Sequence, residues 1–314
     1  MRKISTAVIF SILCSAAFSQ GTNFYSFFVN VVNQDFKFPL IGFVNVAAGE
    51  HNNAQIGFVN YNSRSFKGLQ AGFVNVVGDS LTGVQLSFIN TVAGNTAGLQ
   101  AGFVNTTKKM NGAQLGFVNT AITGAYGFQL GFINTARQKL KGFQLGFVNY
   151  ADTLESGIPI GFLSIVKRGG YQAVEYSFSE FYPVTVGFKT GVEKFYTAVY
   201  FAYNPFQEQS LNSFAFGFGI GSIIPIKNSF FFNPEINHFN TLPLNDNGNL
   251  TSLTPFFGYN FNRHFSIAVA PAVTWNASYD GAELLKPFFN IKNFEINKRN
   301  TVVVGARLGV RYRF

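Results

Sequence analysis

Gly68-Leu69-Gln70-Ala71-Gly72-Phe73-Val74-Asn75 is the stretch from which the fold can be read, because it recurs along the chain. Its Asn falls at 30, 45, 60, 75, 90, 105, 119, 134 and 149, fifteen residues apart except for one step of fourteen. A last degenerate copy runs Ile158-Pro159-Ile160-Gly161-Phe162-Leu163-Ser164. The Gln forms a column of its own at Gln55, Gln70, Gln85, Gln100, Gln114, Gln129 and Gln144, with Pro159 in its place in the last copy. A period held over so many copies marks one supersecondary unit repeated.

Within a copy the pattern alternates with period two, which indicates β-strand. Near Asn134 one row holds Phe128, Leu130, Phe132, Asn134 and Ala136. The other holds Gly127, Gln129, Gly131, Ile133 and Thr135. Turn segments such as Gly78-Asp79-Ser80-Leu81-Thr82-Gly83 separate the copies and carry nearly all the charge of the region. After about residue 167 the repeat stops and the β pattern continues. Strands are expected near 171–181, 184–191, 195–203, 213–226, 229–242, 252–262, 265–278 and 300–314. In the last, Val302, Val304, Ala306, Leu308, Val310, Tyr312 and Phe314 alternate with a row containing Arg307, Arg311 and Arg313.

Three arginines opposite an apolar row cannot sit unpaired in a dry core. They suit a barrel with lipid outside and a polar interior. The fold expected first is therefore an all-β antiparallel transmembrane barrel of about eighteen strands, with the repeats supplying about ten. Gln55, Gln70, Gln85, Gln100, Gln114, Gln129, Gln144, Arg307, Arg311 and Arg313 would face the lumen. Phe73, Phe103, Phe117, Phe132, Phe147 and Phe314 would face the membrane. Glu175 is the best candidate partner for the arginines, since it lies in the less apolar row of its strand.

Chain reach supports antiparallel neighbours. A straight strand of ~9 residues spans about 30 Å, and six more reach at most ~20 Å, too short for a return. The alternative is a parallel repeat solenoid followed by an eight-stranded barrel. It requires the repeat to bend, for example at its second Gly, and the strict period favours it. In that case the Asn column becomes a stacked amide ladder.

Composition narrows the function classes. Charged residues make up 12% of the 314-residue chain and hydrophobic ones 47%, with 40 Phe and 32 Gly. Roughly 25% charge is usual for a soluble domain. Arg2-Lys3, the apolar run Ala7 to Cys14 and Ala17-Phe18-Ser19 read as a signal peptide over residues 1–19, cleaved before Gln20. Residues 20–167 then form the repeat region and 168–314 the C-terminal barrel strands. The mature chain lacks cysteine, which excludes disulfides. The net charge of +9 has no lysine or arginine cluster longer than two residues, so it reads as solvated turns and not as a nucleic-acid surface. His51, His238 and His264 have no metal-ligand spacing, and no cofactor or enzymatic activity is expected.

The tandem Gly-x-Gln-x-Gly-Phe-x-Asn units over roughly residues 40–165 resemble a family of surface-repeat proteins of Gram-negative bacteria. That resemblance implies an envelope or surface location and no activity. The final Tyr312-Arg313-Phe314 resembles the last strand of outer-membrane barrels, which implies outer-membrane lipid and the barrel-assembly machinery as partners. The function expected is a structural outer-membrane protein or a passive channel for small solutes. The alternative is a surface adhesin or binding module presenting a solenoid or long loops, the longest being 206–212, 245–251 and 280–297.

Overall fold

The computed structural model describes residues 23–206, 213–242, 248–278 and 284–314, which are all β-strand, turn and loop. The leader, Cys14 and, of the three expected long loops, residues 207–212, 245–247 and 280–283 lie outside the described residues. Of those loop ranges, Gly248 to Thr251 opens the strand Gly248–Asn260, and Lys292–Asn297 is itself a strand. The chain divides into two compact units, Met1–Gly157 and Ile158–Phe314.

The first unit is a parallel β-solenoid. Each copy pairs in register with the copies before and after it: Asn105 lies opposite Asn90 and Asn119, and Gln114 opposite Gln100 and Gln129. The single eighteen-stranded antiparallel barrel is therefore incorrect. The alternative architecture, a solenoid and an eight-stranded barrel, is the one found.

The straight-strand geometry fails because the chain bends at the second Gly. Strands end at Ala101 and resume at Val104, with Gly102 and Phe103 at the bend. The bend also shifts the alternation by one step. Leu130 and Phe132 point outward, but Asn134 and Ala136, assigned by strict alternation to the same row, are buried with Gln129. A second corner follows the buried residue two after the Asn. The one fourteen-residue step is absorbed there, between Thr107 and Lys109, so every Asn and Gln keeps its column.

The third corner needs glycine. Gly98 has φ +139°, a conformation L-residues rarely adopt, and a Cβ there would lie 2.0 Å from the Gly83 carbonyl oxygen. Gly68, Gly83, Gly112, Gly127, Gly142 and Gly157 repeat this conformation. Asn53 opens the column at φ 153°, consistent with the tolerance of Asn for positive φ.

The second unit is a closed antiparallel barrel of eight strands. They are Tyr171–Phe178, Val184–Val192, Phe195–Tyr203, Phe214–Gly221, Phe230–Leu242, Gly248–Asn260, Phe265–Ser278 and Asn300–Arg313. Closure runs through the first and last, with Glu175 opposite Arg311 and Ala173 opposite Arg313. The first strand is short, so the other half of the last one pairs with Lys292–Asn297 instead. The degenerate last repeat copy groups with this unit, where Thr190 and Thr197 donate hydrogen bonds to the carbonyls of Ser164 and Phe162 at 2.7 and 3.1 Å.

Gly98→Val should destabilise the solenoid by at least ~2 kcal/mol, because it adds positive-φ strain to a backbone clash. Urea unfolding of the full chain checks this, with the exposed Ala97→Val in the same turn as a control that should change little.

Candidate functional site

Two constellations hold the residues singled out in the sequence. The first is the interior of the solenoid, where amides form two continuous ladders. Eight Asn–Asn hydrogen bonds link Asn30 to Asn149, each Nδ2 donating to the Oδ1 of the next copy at 2.8–3.1 Å. The other Nδ2 hydrogen of Asn105 goes to the Leu115 carbonyl at 2.9 Å, and equivalent bonds recur in other copies. Both amide donors are thus used.

The Gln ladder runs the opposite way. Six bonds of 2.5–2.8 Å take each Nε2 back to the Oε1 of the preceding copy, from Gln144 to Gln55. Its ends are visible as unpartnered atoms, Gln55 Nε2 and Gln144 Oε1. By sequence the flanking copies carry Leu40 and Pro159 in this column, and neither side chain offers a polar partner. All seven Gln side chains are fully buried. They face the dry interior of a solenoid and not the water-filled lumen of a barrel.

The Phe column faces outward. Phe73, Phe103, Phe117, Phe132 and Phe147 are each a little under half exposed. With Phe43, Phe58 and Phe88 they stack at 4.9–5.1 Å between centroids and within 5° of parallel. That spacing is the distance between paired strands, about 4.8 Å. Ile56, Leu86, Leu130 and Leu145 run beside it, also exposed. A contiguous apolar strip of this kind marks an interaction surface.

His51 is a buried exception in this unit. Its column continues with Phe66 and Leu81, and its ring packs 5.3 Å from Phe66. Nε2 lies 2.8 Å from the Phe38 carbonyl, while Nδ1 has no partner. Burial holds its pKa below the ordinary value of 6.5. Beside Glu50, a turn is the local expectation for this residue; the structure instead has it opening the strand His51–Ile56.

The second constellation fills the barrel. Lys189 is fully buried, with Nζ 2.9 Å from Glu175 Oε2 and 2.6 Å from Glu235 Oε2. The Tyr196 and Tyr200 hydroxyls donate to Glu235 at 2.5 and 2.6 Å. Arg311 Nε meets Glu175, the expected partner, while Arg307 meets Glu180 at 3.2 Å and Asn237 at 3.0 Å. Three carboxylates (Glu175, Glu180, Glu235) therefore face three cations (Lys189, Arg307, Arg311), which is near neutrality. Arg313 differs in being partly exposed, paired with Glu193 at 2.5 Å near one mouth. Phe314 is 65% exposed, beside Tyr312.

Sequence reasoning did not single out Lys189, Glu180, Glu235, Tyr196 or Tyr200. Their signal was present, since each charged one falls in the small, polar row of its strand or in the adjoining turn. Among the described residues, no group of three or more His, Cys, Asp and Glu side chains could hold a metal ion. No protein-family model, curated protein or solved structure matches the chain.

Asn105→Ala should cost about 3 kcal/mol, because it leaves the buried Asn119 Oδ1 without a donor and one buried Asn90 Nδ2 hydrogen without an acceptor, and takes a second donor from the Leu115 carbonyl. Asn30→Ala, at the end of the ladder, should cost about 1 kcal/mol. Chemical denaturation of both variants gives the comparison.

The lowered pKa of His51 means that the unfolded chain takes up its proton first. Stability is then complete above the ordinary value and falls as pH drops through about 6.5. His51→Leu should flatten the part of this slope between pH 7.5 and 5 that the histidine contributes, as read from urea midpoints at about those two values.

Proposed function

We propose that this chain is a non-enzymatic outer-membrane protein in which the eight-stranded barrel is the anchor and the solenoid a rigid displayed body of the surface-repeat type. The observation that carries the reading is the inversion of the barrel. Its ion pairs are inside, while Phe201, Phe257, Val269, Trp275 and Val310 stand on the outside, each about half exposed. In water such a wall would be costly. In lipid it is the expected one, and charge on that face would be penalised instead. No described helix is long and apolar enough to cross a membrane. A membrane location would therefore rest on the strands.

Between a structural role and a passive channel, the packed interior favours the structural one. An eight-stranded barrel is only just wide enough for its own side chains, and here they form a bonded network across it. Outer-membrane lipid and the barrel-assembly machinery are the partners this reading implies, with Tyr312 and Phe314 ending the closing strand. A second reading, a surface adhesin or binding module, is favoured by the stacked Phe strip of the solenoid.

Trp275, the single tryptophan, provides the test. It lies on the outer wall, three residues from the end of its strand, and is 55% exposed. Reconstituted into vesicles, the full chain should show Trp275 emission quenched by lipids brominated on their acyl chains. Emission that responds to aqueous iodide and ignores the brominated lipids would count against the membrane reading.

A further inference from the structure

One mouth of the barrel opens into a cavity of about 900 Å³. Tyr171, Ile223 and Phe231 contribute apolar wall, and Ser229, Asn262 and Ser266 contribute polar groups. Three arginines line it (Arg263, Arg311 and Arg313); Arg313 is paired with Glu193 and Arg311 through Nε with Glu175, so Arg263 supplies the uncompensated charge of the mouth. The volume falls within the range of small-molecule sites, roughly 300–1,000 Å³.

The arginines are not equivalent. Arg313 is engaged, its Nη1 with Glu193 at 2.5 Å and its Nη2 with the Gly170 carbonyl at 3.2 Å. Arg263 donates through Nε to His264 Nε2 at 2.9 Å, and His264 Nδ1 lies 2.9 Å from the Arg313 carbonyl. Arg311 is only 2% exposed and spends Nε on Glu175, yet both of its Nη atoms are buried without a partner. Its guanidinium carbon lies 5.1 and 5.5 Å from the ring centroids of Phe256 and Phe231, which hold the fork in place. Leaving both NH2 groups of a charged guanidinium buried and unsatisfied is costly, and the fork is the shape that takes a carboxylate through two parallel hydrogen bonds.

We propose that this mouth is a binding site for a small organic carboxylate with an apolar body. Arg311 Nη1 and Nη2 grip the anionic head, Arg263 adds positive potential, and the wall of Tyr171, Ile223 and Phe231 takes the body. The lining explains both halves of that ligand: a free inorganic anion would leave the aromatic wall unused, and a neutral apolar solute would leave the fork unpaired. The inference rests on the barrel interior and not on membrane placement, so the brominated-lipid test can fail while this site stands.

The experiment uses the full chain in lipid nanodiscs with 4-fluorobenzoate as probe, observed by its fluorine resonance. Broadening by the protein and its reversal by unlabelled benzoate are expected, with 4-fluorobenzyl alcohol unaffected. Arg311→Lys keeps the charge beside Glu175 and loses the fork, and should weaken binding at least ~10-fold. Heat-modifiable gel mobility reports whether that barrel has folded. Ser266→Leu leaves Arg311 intact, fills the cavity from its wall and should also abolish the broadening, so the inference stays testable if the first variant fails to fold. Equal response to the acid and the alcohol would overturn the proposal, as would unchanged binding in either folded variant. Displacement by inorganic phosphate as effective as by benzoate would overturn the carboxylate assignment.

Discussion

The spacing between paired β-strands, about 4.8 Å, governs the first unit of this protein. Parallel in-register copies place identical side chains at that separation, and primary amides are suited to it. An Asn or Gln at such a spacing donates to its neighbour in one direction and accepts in the other. The Asn and Gln ladders apply this in opposite senses, with Asn donating toward later copies and Gln toward earlier ones. The exact fifteen-residue period is a consequence, since any drift would break both ladders at once. The one fourteen-residue step is tolerated because its missing residue falls at a corner, outside both ladders.

The same spacing explains the outside. Phe rings at 4.9 Å stack because their backbones are that far apart, and the chain keeps them about half exposed. Burial in this unit is thus assigned against the usual preference, with amides inside and many aromatics outside. The barrel repeats the inversion by a different route. Its interior is held by long-range ion pairs, such as Lys189 with Glu235, between strands far apart in sequence.

Much of this was legible in the sequence. The period, the two columns, the β character and the eight C-terminal strands could all be read from residue spacing. The direction of the repeat strands could not, because the decisive feature is a bend at Gly102-Phe103 that leaves the period-two pattern looking continuous. Read straight, Phe132 and Asn134 share a face; bent, one is outside and the other buried. In the barrel, the inward rows including Arg307 and Arg311 could be read from alternation in single strands. The partners of each arginine could not, since they depend on which strands face each other across the interior. Glu175 could be picked out for the arginines by its place in the less apolar row of its strand, but that closure sets it opposite Arg311 could not be read; Glu180 is in a turn and Lys189 stood in no noted pattern.

Distance measurements within the repeat test the central claim most directly. Lys67, Asn111, Tyr126 and Lys141 occupy one column through the pairings Lys67–Thr82, Thr82–Ala97, Ala97–Asn111, Asn111–Tyr126 and Tyr126–Lys141. Spin labels on cysteines replacing Lys67 and one of the other three should give backbone separations of about 14, 19 and 24 Å, rising by one strand spacing per copy. A series that alternates between short and long distances from one copy to the next would contradict the solenoid and restore an antiparallel arrangement of the repeats.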